Sequence, residues 1–238
     1  METRFEATAA RSIGVLLRGE MQSLSLWTER WELTRVGLHV GVIVLGAGLY
    51  GAAMGWWRSP EQSLLVALKF PLIILLTTMG NAVLNAMLAP LLGLNLTFRQ
   101  SLLTILMSFT IASAILGAFA PLTAFAVWNA PPMSPEAVRG ASYSGIKLMH
   151  VGVIAFAGVA GNVRLFQLLV QMGGSRKVAL RVLFAWLAGN LFLGSQLSWI
   201  LRPFIGAPHL PVVFFRNTAF QGNFYENLFH TVMRLLGD

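Results

Sequence analysis

From residue 37 to residue 201 the chain alternates long apolar runs with short polar breaks. A run of about 20 apolar residues crosses the ~30 Å hydrocarbon core of a bilayer as one α-helix. Five runs qualify, at 37–57, 70–92, 102–128, 146–170 and 179–201. The breaks between them carry turn residues: SPEQS at 59–63, GLNLTFRQ at 93–100, NAPPMSPEAVRGAS at 129–142 and QMGGSRK at 171–177. In the second run, Lys69 and Pro71 place 64–69 at the interface ahead of the span, and Pro90 ends or bends it. The predicted fold class is all-α, a polytopic bundle of five transmembrane helices over 37–201.

The flanks have other periods. In 4–33, Arg4, Arg11 and Arg18 share one helical face, and Phe5, Ala9, Ile13, Leu16, Leu24, Trp27 and Trp31 gather opposite them. This predicts a cytoplasmic segment, 1–36, with an amphipathic helix lying in the interface or packed on the protein's own surface. The tail, 202–238, starts with the proline-rich RPFIGAPHLP and ends in NFYENLFHTVMRLLGD. Asn223 and Glu226 have capping-box spacing, and Phe224, Leu228, Val232 and Leu235 form an apolar side, so a short C-terminal helix is predicted. Phe204, Phe214, Phe215, Phe220, Phe224, Tyr225 and Phe229 crowd the tail. Aromatics so dense are expected to bury against the spans, with a partner or the headgroups as alternatives.

Composition agrees with a membrane solvent. Of 238 residues, 56% are hydrophobic and 11% charged, against about a quarter charged in soluble domains. Only Glu61 and Glu136 are acidic between 37 and 201. The net charge is +8, with basic residues set beside spans, so anionic headgroups rather than nucleic acid are the expected partner. There is no cysteine, which excludes disulfides and thiolate chemistry. The first long run begins near residue 37, so no cleaved signal is expected. With the N-terminus inside, inner segments hold ten Lys/Arg and outer segments seven. That bias predicts a multi-pass plasma (inner) membrane protein with a cytoplasmic N-terminus and an outer C-terminus. Trp56, Trp57, Arg99, Arg176 and Lys177 read as interface anchors, and Lys69 and Arg164 as snorkelling side chains.

The candidate chemistry lies in amides. Asn81 and Asn85 are one helical turn apart in the second run. Asn162 and Asn190 occupy the fourth and fifth runs, with Gln196 beside them on a polar side of the fifth. An amide facing lipid leaves its donors and acceptors unmet. These five residues are therefore expected to form one interhelical polar patch, bonding between helices or, alternatively, lining a path. Small-residue pairs Gly37/Gly41, Gly51/Gly55 and Ala157/Gly161 are the expected helix-packing positions.

No span holds an Asp or Glu, which weighs against carboxylate-coupled carriers. His39, His150, His209 and His230 show no metal spacing and read as interfacial or surface residues, so no metal or other cofactor is expected. GxxxxGK[ST], HExxH and GxSxG are missing, so no catalytic residue is assigned. An Asn-X-Thr acceptor at 95–97 falls in an inner turn and is discounted.

Residues 91–116, LLGLNLTFRQSLLTILMSFTIASAIL, resemble bacterial members of the Yip1 family, with Phe98, Arg99 and Gln100 leading into the third span. The resemblance spans about 60–200 and implies five spans, a cytoplasmic N-terminus and an adaptor rather than an enzyme. The long N-terminal segment and the aromatic tail depart from that pattern. The reading is a non-enzymatic scaffold or partner-binding subunit, working with other membrane subunits or as a homo-oligomer. A permease subunit is the alternative. A lipid-modifying enzyme near Arg99, Arg164 and Arg176 is weaker, for want of acid–base groups there.

Overall fold

The computed structural model describes residues 32–134 and 140–237, so the amphipathic helix expected in 4–33 falls outside the described residues except at its end. Five long helices run in sequence: α1 (Leu33–Trp56), α2 (Pro60–Leu91), α3 (Phe98–Trp128), α4 (Ala141–Gly173) and α5 (Arg176–Leu201). A shorter α6 (Phe224–Gly237) follows in the tail. Each of the five is long and apolar enough to cross a membrane. The expected all-helical, five-span architecture is the one observed.

Local chemistry sets the helix starts. Ser59 Oγ accepts from the Gln62 N–H at 3.1 Å. Pro60 takes the first helical position, where its missing N–H is no loss, and Glu61 faces the helix dipole. Residues 64–69 are therefore not a separate interfacial piece. They continue α2, which runs unbroken through Pro71 and nearly to its end at Pro90. The Ala67 carbonyl, which Pro71 deprives of an amide partner, faces Gly48 of α1, 3.3 Å from where a Cβ would stand. Thr97 and Gln100 form a reciprocal capping box that starts α3. Gly174 ends α4 at φ 61°, a left-handed turn that suits glycine.

The most buried span is α3. Helices α1, α2 and α4 pack on it, and α5 closes the ring between α2 and α4. Glycines set the closest approaches, but not all those expected. A Cβ on Gly51 or Gly55 would stand 2.6 Å from the carbonyls of Val66 and Gln62 in α2. Gly37 and Gly41 instead have nothing within 4 Å among the described residues. A Cβ on Gly161 of α4 would stand 2.7 Å from the Ser108 carbonyl, with Ala157 buried on the same seam. The tightest crossing was not among the expected positions: a Cβ on Gly46 would overlap the Ser113 carbonyl of α3, beside Gly117.

Candidate functional site

Asn81 is fully buried and donates both amide hydrogens to α5, to Asn190 Oδ1 at 2.5 Å and to the Trp186 carbonyl at 3.2 Å. Gly189 permits this approach, since a Cβ there would stand 2.5 Å from Asn81 Oδ1. Asn85, one turn along, is equally buried, yet its Nδ2 and Oδ1 have no hydrogen-bond partner among the described residues. The remaining amides are not brought into this contact. Asn162 Nδ2 donates back to the Gly158 carbonyl of its own helix at 2.8 Å. Gln196 accepts from the Phe224 N–H of α6 at 3.5 Å. The expected five-residue patch therefore resolves into one Asn81–Asn190 junction, with Asn85 beside it.

Other polar side chains also join helices. Ser63 Oγ donates to the Ala52 carbonyl at 2.8 Å, linking α2 to α1. Ser101 Oγ donates to the Ala82 carbonyl at 3.1 Å, linking α3 to α2. Two histidines expected at surfaces are buried instead. His39 Nδ1 lies 2.9 Å from Thr110 Oγ1. That hydroxyl already donates to the Leu106 carbonyl, so the histidine is the donor and carries its proton on Nδ1. His150 Nδ1 bonds the Tyr50 hydroxyl at 2.9 Å, joining α4 to α1.

The tail folds back over one end of the bundle. Gln62 Nε2 donates to the carbonyls of Pro203 and Phe204 at 2.9 and 2.8 Å. Arg58 Nη2 donates to those of Pro208 and Leu210. Tyr143 hydroxyl donates to that of Gly206 at 3.1 Å. Gly206 sits at φ 80°, with the Arg58 side-chain carbons 3.5 Å from where a Cβ would be. Phe204 and Ile205 enter a core of Tyr50, Met54, Val66, Leu116 and Ala157. Lys69, expected to snorkel, is fully buried. Its Nζ donates to the Val213 carbonyl at 2.9 Å and the Pro203 carbonyl at 3.4 Å, 5.4 Å from the Phe214 ring centre. Past the spans, burial and the nearby Arg216 charge bring the Arg202 guanidinium down to about 10.

The tail aromatics divide. Phe204 is built into the core, and Tyr225 stacks on Phe192 of α5 and accepts from Ser195 Oγ at 3.0 Å. Phe215, Phe220 and Phe229 stay exposed. The polar side of α5 thus serves the tail. Asn223 Oδ1 accepts from the Glu226 N–H at 2.8 Å, the cap expected for α6.

Of the expected anchors, Trp56 is half exposed, and Arg99, Arg176 and Lys177 lie on the surface. Trp57 is a correction. It is buried, donates from Nε1 to the Pro131 carbonyl at 3.0 Å, and packs on Tyr143, so it fastens a loop.

The fold and these contacts define a multi-pass helical membrane protein in which several buried polar side chains join one helix to another. Compared with protein-family models, curated proteins and solved structures, the chain matches none.

Proposed function

We propose that this protein is a non-enzymatic scaffold or partner-binding subunit of a membrane assembly, seated in the plasma membrane with its N-terminus cytoplasmic. One observation carries the reading: Asn81, central in α2, spends both amide hydrogens on α5. An amide so engaged holds helices together. The absence of any Asp or Glu from the five long helices except Glu61, in the first turn of α2, fits the same reading. So does the likeness of 91–116 to the Yip1 family, whose eukaryotic members act as partners of other proteins. The exposed Phe215, Phe220 and Phe229 offer apolar surface to other subunits or to a second copy.

A second reading, a transport component, has Asn85 in its favour, since its buried amide bonds nothing described and so resembles a stop on a polar path. Replacing Asn81 and Asn190 together by Leu separates the two. The scaffold reading expects a lower melting temperature and less assembled protein in mild detergent. Retained stability and assembly, with loss of a solute flux that the wild type supports in proteoliposomes, would establish transport instead.

A further inference from the structure

Three cations gather where the tail covers the bundle, and no acid among the described residues pairs with them. Lys69 Nζ bonds the Val213 carbonyl and lies 5.4 Å from the Phe214 ring, just ahead of Arg216 in the chain, and it bonds the Pro203 carbonyl next to Arg202. Arg216 Nε and Nη2 are buried and have no hydrogen-bond partner among the described residues. Lys69 uses two of its three ammonium hydrogens on tail carbonyls. Arg202 spends Nη1 on the Trp199 carbonyl at 2.7 Å and lies over that indole. The acids among the described residues are elsewhere engaged or exposed. Glu32 pairs with Arg35, Glu226 belongs to the α6 cap, and Glu61 is exposed in the first turn of α2. A buried cation without an anion is strongly disfavoured. Lys69 is fully buried and so are Nε and Nη2 of Arg216, which favours negative charge beside them.

We propose that Arg216, Arg202 and Lys69 form a binding site for a phosphate-bearing anion at the tail-covered end of the bundle. Guanidinium groups present paired N–H donors that match phosphate oxygens, and a lysine adds a point charge. The depth is suitable. Helix α2 has 32 residues, about 48 Å at 1.5 Å each, against ~30 Å of hydrocarbon. Lys69 lies nine positions after Pro60, roughly 13 Å down the helix. If α2 is centred in the bilayer, that is a few ångströms below the edge of the hydrocarbon, within reach of headgroup phosphates. A phospholipid headgroup and a soluble phosphate compound share the required chemistry.

The test uses the full chain, delipidated in a neutral maltoside detergent. Thermal melting is followed with added phosphatidylglycerol, and separately with inorganic phosphate against chloride at equal ionic strength. At least one is expected to raise the melting temperature, and R216Q to weaken the apparent affinity about tenfold, the value of one charge-assisted hydrogen bond. R181Q, an exposed change at the other end, retains the effect. Stabilisation by the lipid alone identifies a headgroup site, and stabilisation by free phosphate a soluble ligand. Without either, R216Q should melt no lower than wild type, because it removes an uncompensated charge. No shift in the wild type, an equal shift in R216Q, or a marked loss of stability in ligand-free R216Q would overturn the proposal.

Discussion

Asn81 and Asn85 show how far one helical turn changes an amide's fate. They share a face and are equally buried, but a rise of ~6 Å carries Asn85 past the reach of Asn190. Asn81→Leu removes two interhelical bonds and is expected to cost about 1 kcal/mol, with ~2 as a ceiling. Asn85→Leu is nearly isosteric and removes only unbonded polar atoms. It is expected to leave stability unchanged or raise it by about 1 kcal/mol. Melting of the two single variants in one detergent checks both signs, and a loss on Asn85→Leu equal to that on Asn81→Leu would mean that Asn85 is bonded. The sequence shows which residues share a face. It does not show which of them finds a partner, because that depends on the register of α5. The same limit applies to Lys69 and Trp57. Each sits near a span end, where anchors belong, and each is buried by a loop or tail whose path local pattern does not reveal.

Among helices, the small-residue stripes of α1 divide by function. Gly37 and Gly41 have nothing within 4 Å among the described residues, whereas Gly46, Gly51 and Gly55 meet backbone of α3 and α2. Gly46→Val therefore places a side chain where the Ser113 carbonyl stands, and backbone cannot yield as a flexible side chain does. The expected result is loss of several kcal/mol or failure to fold, in line with overpacking at a backbone contact. Gly41→Ala, with nothing in its way among the described residues, should leave stability unchanged or raise it by up to about 1 kcal/mol. Yield and melting of the two proteins test the contrast. Helix identity and order were legible because hydrophobic length is read directly from composition. Helix starts were less so. The Ser59–Pro60–Glu61–Gln62 signature was present, but Lys69 and Pro71 drew the boundary inward. In a membrane-spanning helix flanked by packed neighbours, a proline and a single lysine interrupt less than they would alone.

Across the whole molecule, the tail belongs to the bundle although its sequence has no span character. Gln62 and Lys69 donate four hydrogen bonds to its carbonyls, and Phe204 and Ile205 complete a core layer. Its proline-rich composition fits the irregular chain, since prolines leave carbonyls free of regular pairing. It did not predict that polar side chains on α2 collect those carbonyls. Two truncations follow from this division. Ending the chain after Gly222 removes α6, whose contact with the described spans is mainly on α5. This should lower the melting temperature by a few degrees at most. Ending it after Leu201 also strips the carbonyls from Gln62 and Lys69 and uncovers Tyr50 and Val66. Four bonds at about 1 kcal/mol each put the loss near 4 kcal/mol before any packing term. The longer deletion is then expected to be poorly recovered or readily proteolysed, while the shorter one purifies as the wild type does. Equal behaviour of the two would mean that residues 202–222 rest on the bundle without contributing to it, and the buried Lys69 would need another partner.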